Sequence, residues 1–128
     1  MADVVYRKKV LSIDDNRQIG STLRPKFEEA GYQFESAYSG QEGLEKMRTY
    51  QPDLVLLDIM MPLMDGHEVL RRIKSDPELK HIPVIMVSAK RDKETVIRTV
   101  QGGATDYLVK PVDVKRLLEK VGRVLPTV

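Results

Sequence analysis

Cysteine is absent from the 128 residues, which excludes disulfides, thiolate metal sites and cysteine nucleophiles. That absence suits a reducing compartment. No apolar run approaches the length of a membrane span. The N-terminal stretch Met1-Ala2-Asp3-Val4-Val5-Tyr6-Arg7-Lys8-Lys9 lacks the apolar core of a secretion signal, so the expected location is the cytoplasm. An excess of one charge is missing as well. Lys+Arg number 21 against 19 Asp+Glu, a net charge of +2, and this gives no basis for expecting nucleic acid or a membrane surface as partner. There is no tryptophan, no internal repeat and no low-complexity tract. What is present is ordinary for a globular chain, 41% hydrophobic and 31% charged. The length allows one hydrophobic core, and residues 1–128 read as a single domain with its core at about 7–125.

The apolar pattern divides that length into strands and helices. Lys9-Val10-Leu11-Ser12-Ile13 reads as a first strand. It stops at Asp14-Asp15-Asn16, side chains able to cap the next helix. That helix is predicted from about Asn16 to Ala30, with Ile19, Leu23, Phe27 and Ala30 on one stripe. Pro25 removes one of its backbone hydrogen bonds and predicts a kink or a loosened turn. Gly31 closes it. Gln33 to Tyr38 alternates and reads as a short edge strand. A second helix is predicted over about 41–49, with Leu44 and Met47 inward, ended by Gln51-Pro52. Leu54 to Leu57 is continuously apolar between Asp53 and Asp58, the pattern of a strand buried on both faces. After a loop comes a third helix over about 66–75, with Val69, Leu70 and Ile73 inward and Asp76-Pro77 as its stop. Pro83 to Val87 is a second buried strand. A fourth helix over about 92–101 offers Val96, Ile97 and Val100 as its apolar positions, then Gly102-Gly103. Asp106 to Val109 is the last strand. Asp113 caps a final helix with the stripe Val114, Leu117, Leu118, Val121 and Leu125, ended by Pro126. Five strands alternating with five helices require a parallel sheet with right-handed crossovers and helices on both faces.

In a parallel sheet the residues that follow each strand share one edge. Asp14 and Asp15 follow the first strand, Asp58 the third, Ser88 the fourth and Lys110 the fifth. Taken one at a time, each is an ordinary cap, turn or solvated residue. Taken together they are three carboxylates, a hydroxyl and an ammonium converging from distant segments. Carboxylates at close range need a counter-charge. Mg2+ is the natural one, being a hard cation held by one or two carboxylates plus phosphate oxygens. A metal, a lysine and a hydroxyl around one carboxylate are the parts for phosphoryl transfer onto that carboxylate.

These residues carry a resemblance. Asp14-Asp15, the run Leu56-Leu57-Asp58-Ile59-Met60-Met61-Pro62-Leu63-Met64-Asp65-Gly66, Ser88-Ala89, and Gly103-Ala104-Thr105-Asp106-Tyr107-Leu108-Val109-Lys110-Pro111 resemble the receiver domain of two-component response regulators. The likeness covers about residues 7–125. It implies a flavodoxin-like sheet of order 2-1-3-4-5. It implies Asp58 as acceptor of a phosphoryl group from a phosphohistidine on a sensor kinase or phosphotransfer protein. It further implies Mg2+ bound by Asp15 directly, Asp14 through water, Asp58, and the backbone carbonyl of Met60. Lys110 and Ser88 would contact the phosphoryl oxygens, Tyr107 would be the switch aromatic, and the Lys110–Pro111 bond would be cis. Met60 and Lys90 stand at positions that tune the lifetime of the phosphorylated form. The fourth helix, fifth strand and fifth helix would form the face for a downstream effector, a fused output domain or a homodimer. Such a domain only phosphorylates and dephosphorylates itself.

Three other readings are weaker. A haloacid-dehalogenase-type phosphatase needs a second acid two residues after its nucleophile, where this chain has Met60. A flavin carrier needs a phosphate-cradling loop after the first strand, but Asp14-Asp15-Asn16 would repel phosphate. A phosphorylation-independent receiver has no use for the complete set of acids, hydroxyl and lysine. His67 and His81 lack a second ligand at metal spacing and read as surface residues. Lys90, Arg91, Lys93, Lys115, Arg116, Lys120 and Arg123 read as solvated helix faces.

Overall fold

The structure is a computed structural model that describes residues 7–125. Pro126, expected to end the last helix, and residues 1–6 of the N-terminal stretch lie outside the described residues. The elements alternate: β1 (Lys9–Ile13), α1 (Arg17–Glu29), β2 (Gln33–Ala37), α2 (Gly40–Thr49), β3 (Leu54–Leu57), α3 (Gly66–Ser75), β4 (Val84–Ser88), α4 (Lys93–Gln101), β5 (Asp106–Val109) and α5 (Val114–Val124). All pairings are parallel, in the order β2-β1-β3-β4-β5. The resemblance implied this order, and the alternating β2 takes one edge as its pattern required.

Strand residues alternate faces, and the sheet divides its apolar side chains accordingly. Leu11, Ile13, Val55, Leu57, Val84 and Met86 pack with Met47 of α2 and Val69, Leu70 and Ile73 of α3. Val10, Leu54, Leu56, Ile85, Val87 and Leu108 pack on the other side with Leu23 and Phe27 of α1 and Leu117 and Val121 of α5. Because β3 and β4 are buried on both faces, they read as unbroken apolar runs.

Helix starts follow local chemistry. Asn16, Ser39, Asp65, Asp92 and Asp113 each accept a backbone N–H of the first turn with a side-chain oxygen. At the end of α1, Gly31 has φ +98°. Its N–H donates to the Glu28 carbonyl, and the Tyr32 N–H donates to that of Phe27. This double closure needs a left-handed residue, which glycine supplies without strain. α1 runs unbroken through Pro25, which lies on its exposed side.

Four expectations need correction. Ala30 is exposed, because the chain has already turned at the end of α1. On α4, Ile97 and Val100 are 44% and 49% exposed, and Val96 is only half-buried. The buried residue there is Thr99, whose hydroxyl donates to the Thr95 carbonyl at 2.6 Å. A hydroxyl satisfied within its own helix loses the cost of burial, so α4 sits rotated from the orientation its apolar spacing suggested. β4 begins one residue later than expected, at Val84, and includes Ser88. Lys120 is not simply solvated; its ammonium pairs with Asp106 at 2.9 Å.

Candidate functional site

Backbone hydrogen bonds that continue the sheet beyond its strands fix the residues at the carboxyl edge. The Asp14 N–H donates to the Ala37 carbonyl at 3.0 Å, and the Asp58 N–H donates to Ile13 at 3.0 Å. The Lys110 N–H donates to Ser88 at 2.9 Å. Thus each polar side chain starts from a position set by the neighbouring strand. Carboxylate oxygens of Asp14, Asp15 and Asp58 lie within 4.8 Å of one another. The Lys110 ammonium reaches across them, 2.7 Å from Asp14 and 3.3 Å from Asp58. Asp14 and Asp58 are buried, whereas Asp15 is exposed.

The remaining bonds aim these groups. The other oxygen of Asp14 accepts the Asn16 N–H at 2.9 Å. Asp58 Oδ1 accepts the Met60 N–H at 3.4 Å. Ser88 is fully buried at the end of β4, and its Oγ accepts the Lys90 N–H at 3.3 Å. Tyr107 on β5 donates its hydroxyl to the Lys90 carbonyl at 2.5 Å. Lys90 therefore joins Ser88 to Tyr107 through its own backbone. The Lys110–Pro111 peptide is cis.

Burial pushes the Asp14 carboxyl above its usual range, and the nearby Asp58 charge adds to this; the hydrogen bonds from Lys110 and Asn16 offset only part. Burial also disfavours the Lys110 charge, but the hydrogen bond and charge of Asp14, joined by Asp58, outweigh it and raise the Lys110 pKa. Lys110 is thus held as a cation between two acids. The three clustered carboxylates are hard oxygen donors of the type a divalent cation takes, and the lysine only partly balances their charge. The acidic pocket is compatible with Mg2+.

Two contributors escaped the sequence reading. The sequence places Lys90 on a solvated face and the resemblance gives it a part in phosphoryl lifetime; its backbone relay leaves no trace in residue type. Gly66 closes the run that carries the resemblance and opens the third helix, but the sequence says nothing of what packs against it. A Cβ there would stand 2.1 Å from the Asp58 carbonyl oxygen and 2.7 Å from Ile59 Cα. The Asp65-Gly66 pair hinted at a turn, but not at this contact. Gly66→Ala is expected to cost roughly 3 kcal/mol, since backbone cannot yield as a side-chain tip does. It is also expected to displace Asp58. Urea melts of the variant check the first effect, and acidity-dependent NMR shifts of the Asp58 side chain check the second.

His67 is half-buried and His81 is exposed, so both reach the surface. Among the described residues, no helix is long and apolar enough to cross a membrane.

An open parallel sheet in this order, with ligand-type side chains at its carboxyl edge, belongs to the flavodoxin-like class of α/β domains. Within that class the chain is a member of the response regulator receiver domain family, whose sequence profile matches residues 10–122. It belongs to two-component signalling, as the resemblance implied. The polar-differentiation response regulator DivK of Brucella ovis is 40% identical over 114 residues, 89% of this chain and 93% of its own. The chemotaxis protein CheY4 of Vibrio cholerae has a similar structure, with a TM-score of 0.87 at 32% identity, over 94% of this chain and all 100% of that one. The N-terminal domain of a response regulator receiver protein from Methanoculleus marisnigri is 40% identical, with a TM-score of 0.75 over 92% of this chain and 96% of its own.

Proposed function

We propose that the chain is a phosphoacceptor module and that Asp58 takes the phosphoryl group. The observation that supports this most is the Lys110 ammonium lying between Asp14 and Asp58 at 2.7 and 3.3 Å, a cation already placed beside the acceptor. An Asp58 oxygen attacks the phosphorus of a phosphohistidine on a sensor kinase or phosphotransfer protein. The O–P bond forms, the N–P bond breaks, and its electrons return to the imidazole. Asp14, Asp15, Asp58 and the Met60 backbone carbonyl would hold Mg2+, which when bound supplies neutralisation of the phosphoryl oxygens' charge. Lys110 pairs with one phosphoryl oxygen and the Ser88 hydroxyl donates to another. Positioning and charge neutralisation are the main demands of this chemistry.

The same contacts supply a switch. Drawing Ser88 toward the phosphoryl group pulls on Lys90, and Lys90 carries the movement to Tyr107 through the 3.3 and 2.5 Å bonds. The face of α4, β5 and α5, with Ile97 and Val100 exposed on it, is read as the surface for an effector, a fused output domain or a homodimer. The cytoplasm remains the proposed location.

Incubation with Mg2+ and a small-molecule phosphoramidate tests the reading. A single alkali-labile one-phosphate mass increment, mapping to the peptide that contains Asp58, is the expected result. Steady release of phosphate over many turnovers without that adduct would overturn it.

Metal binding should weaken in acid. Asp14 has a folded pKa above that of an ordinary aspartate, so it takes up a proton earlier as the pH falls. Metal then has to displace that proton. Below the folded pKa, apparent Mg2+ affinity is expected to drop by about tenfold per pH unit from this group alone. Calorimetric titration between neutral pH and mild acid checks it; a flat profile would remove Asp14 from the ligand set.

A further inference from the structure

An open groove of about 510 Å³ runs between the β3–α3 loop and α4, lined in part by Met60, Pro62, His67, Lys90, Thr95 and Arg98. It lies on the opposite side of α4 from Ile97 and Val100, because Thr95 and Arg98 face it. One rim is apolar and includes Pro62 and Met60, which is 57% exposed; Leu63, the residue that follows Pro62 in the chain, flanks this rim and is fully exposed. Leu63 also holds φ +68°, a conformation that a leucine adopts only at some cost. The opposite rim is basic. Neither Lys90 nor Arg98 enters an ion pair among the described residues. The one lining carboxylate, Asp65, already caps α3 by accepting the Glu68 N–H at 3.0 Å. His67 also lines the groove. Burial lowers its pKa first, and the charges of Arg98 and Lys90 lower it further against the opposing pull of Asp65.

We propose that this groove seats a peptide segment of a partner protein in which acidic residues alternate with large apolar ones, and that its affinity follows the state of Asp58. The apolar rim offers contact area to Leu- or Phe-type side chains, and the unpaired cations opposite offer charge complementarity to carboxylates. Both rims are tied to the phosphorylation site. The Met60 N–H donates to Asp58 on one side, and Lys90 bonds Ser88 and Tyr107 on the other. A phosphoryl group that takes over either set of bonds changes the spacing of the rims. The coupling to Asp58 rests on the acceptor reading above, whereas the groove's peptide preference does not.

Selection of a random twelve-residue peptide display library on the full chain, with and without Mg2+ and beryllofluoride, tests the proposal. Enriched peptides are expected to be rich in Asp/Glu and in Leu, Phe or Met. Their synthetic versions should bind Arg98→Glu and Leu63→Ser about tenfold more weakly, a typical effect for loss of one interface anchor. They should bind Ile97→Ser/Val100→Ser unchanged, which separates this groove from the far face of α4. Beryllofluoride should change affinity at least about fivefold, the lower end of ordinary coupling. Phosphoryl uptake by the two groove variants confirms that they are folded. Peptides without acidic enrichment, nucleic-acid binding in place of peptide binding, or peptides insensitive to Arg98→Glu and Leu63→Ser would each overturn the docking site. Groove-specific binding that ignores beryllofluoride, in a chain that still takes up phosphate on Asp58, overturns the coupling alone. Failure of phosphate uptake in the native chain overturns the acceptor reading, not the groove.

Discussion

Asp58→Asn is expected to take up no phosphoryl group while remaining fully folded. The amide has almost the same shape as the carboxylate, and its oxygen can still accept the Met60 N–H, so the loop keeps its geometry. What disappears is the carboxylate oxygen proposed as the nucleophile. The effect on stability should be small, within about 1 kcal/mol at neutral pH, in the range of substitutions that create neither a cavity nor an unpaired charge. Lys110 keeps its closer partner, Asp14, at 2.7 Å. The charge of Asp58 is also one of the influences that raise the Asp14 pKa, so its loss eases the strain on Asp14. Mass spectrometry after phosphodonor treatment and a paired urea melt measure the two effects. An increment of undiminished size on the variant would place the acceptor elsewhere.

Lys110→Met should damage both function and stability. Asp14 and Asp58 are each 5% exposed, and Lys110 supplies the cation bonded to both. Removing one member of a buried charged set leaves the others uncompensated, which costs roughly 3 kcal/mol or more. Phosphoryl uptake should fall by two to three orders of magnitude, on the order expected for loss of one preorganised charge-stabilising group. The stability loss should depend on pH, with a definite sign. Burial already raises the Asp14 pKa, and without Lys110 nothing but the Asn16 N–H opposes that rise. The folded form then binds its proton at a pH where the unfolded chain does not. The deficit is therefore full above the folded pKa of Asp14 and shrinks as pH falls through it. Melts of wild type and variant at neutral pH and in mild acid should converge on the acid side. A deficit of equal size at both would mean that packing of the lysine stem, not the acid pair, is what was lost.

Most of the site's membership was legible, because it depends on where strands end. Leu54 to Leu57 is apolar without interruption, so Asp58 had to sit at a strand terminus. Asp14, Ser88 and Lys110 follow from the same rule. Helix orientation was less legible. Spacing placed Val96, Ile97 and Val100 inward, yet the buried position on α4 is Thr99, a residue whose hydroxyl is satisfied by its own helix. Apolar spacing marks the core side of a helix only when apolar residues are the ones buried. The role of Gly66 was hidden for a different reason, since a missing Cβ announces nothing about which backbone passes 2.1 Å from where it would be.

Local pattern alone determined the alternation of strands and helices, the caps at Asn16 and Asp113, and the chemical types available at the carboxyl edge. These follow from periodicity and from hydrogen bonds made within a few residues. Only the tertiary structure decided that Lys110 lies against Asp14, 96 positions earlier in the chain, and that Lys90 links Ser88 to Tyr107. Such contacts are set by the parallel register of β1, β3, β4 and β5, and register is a property of paired strands that no single segment carries.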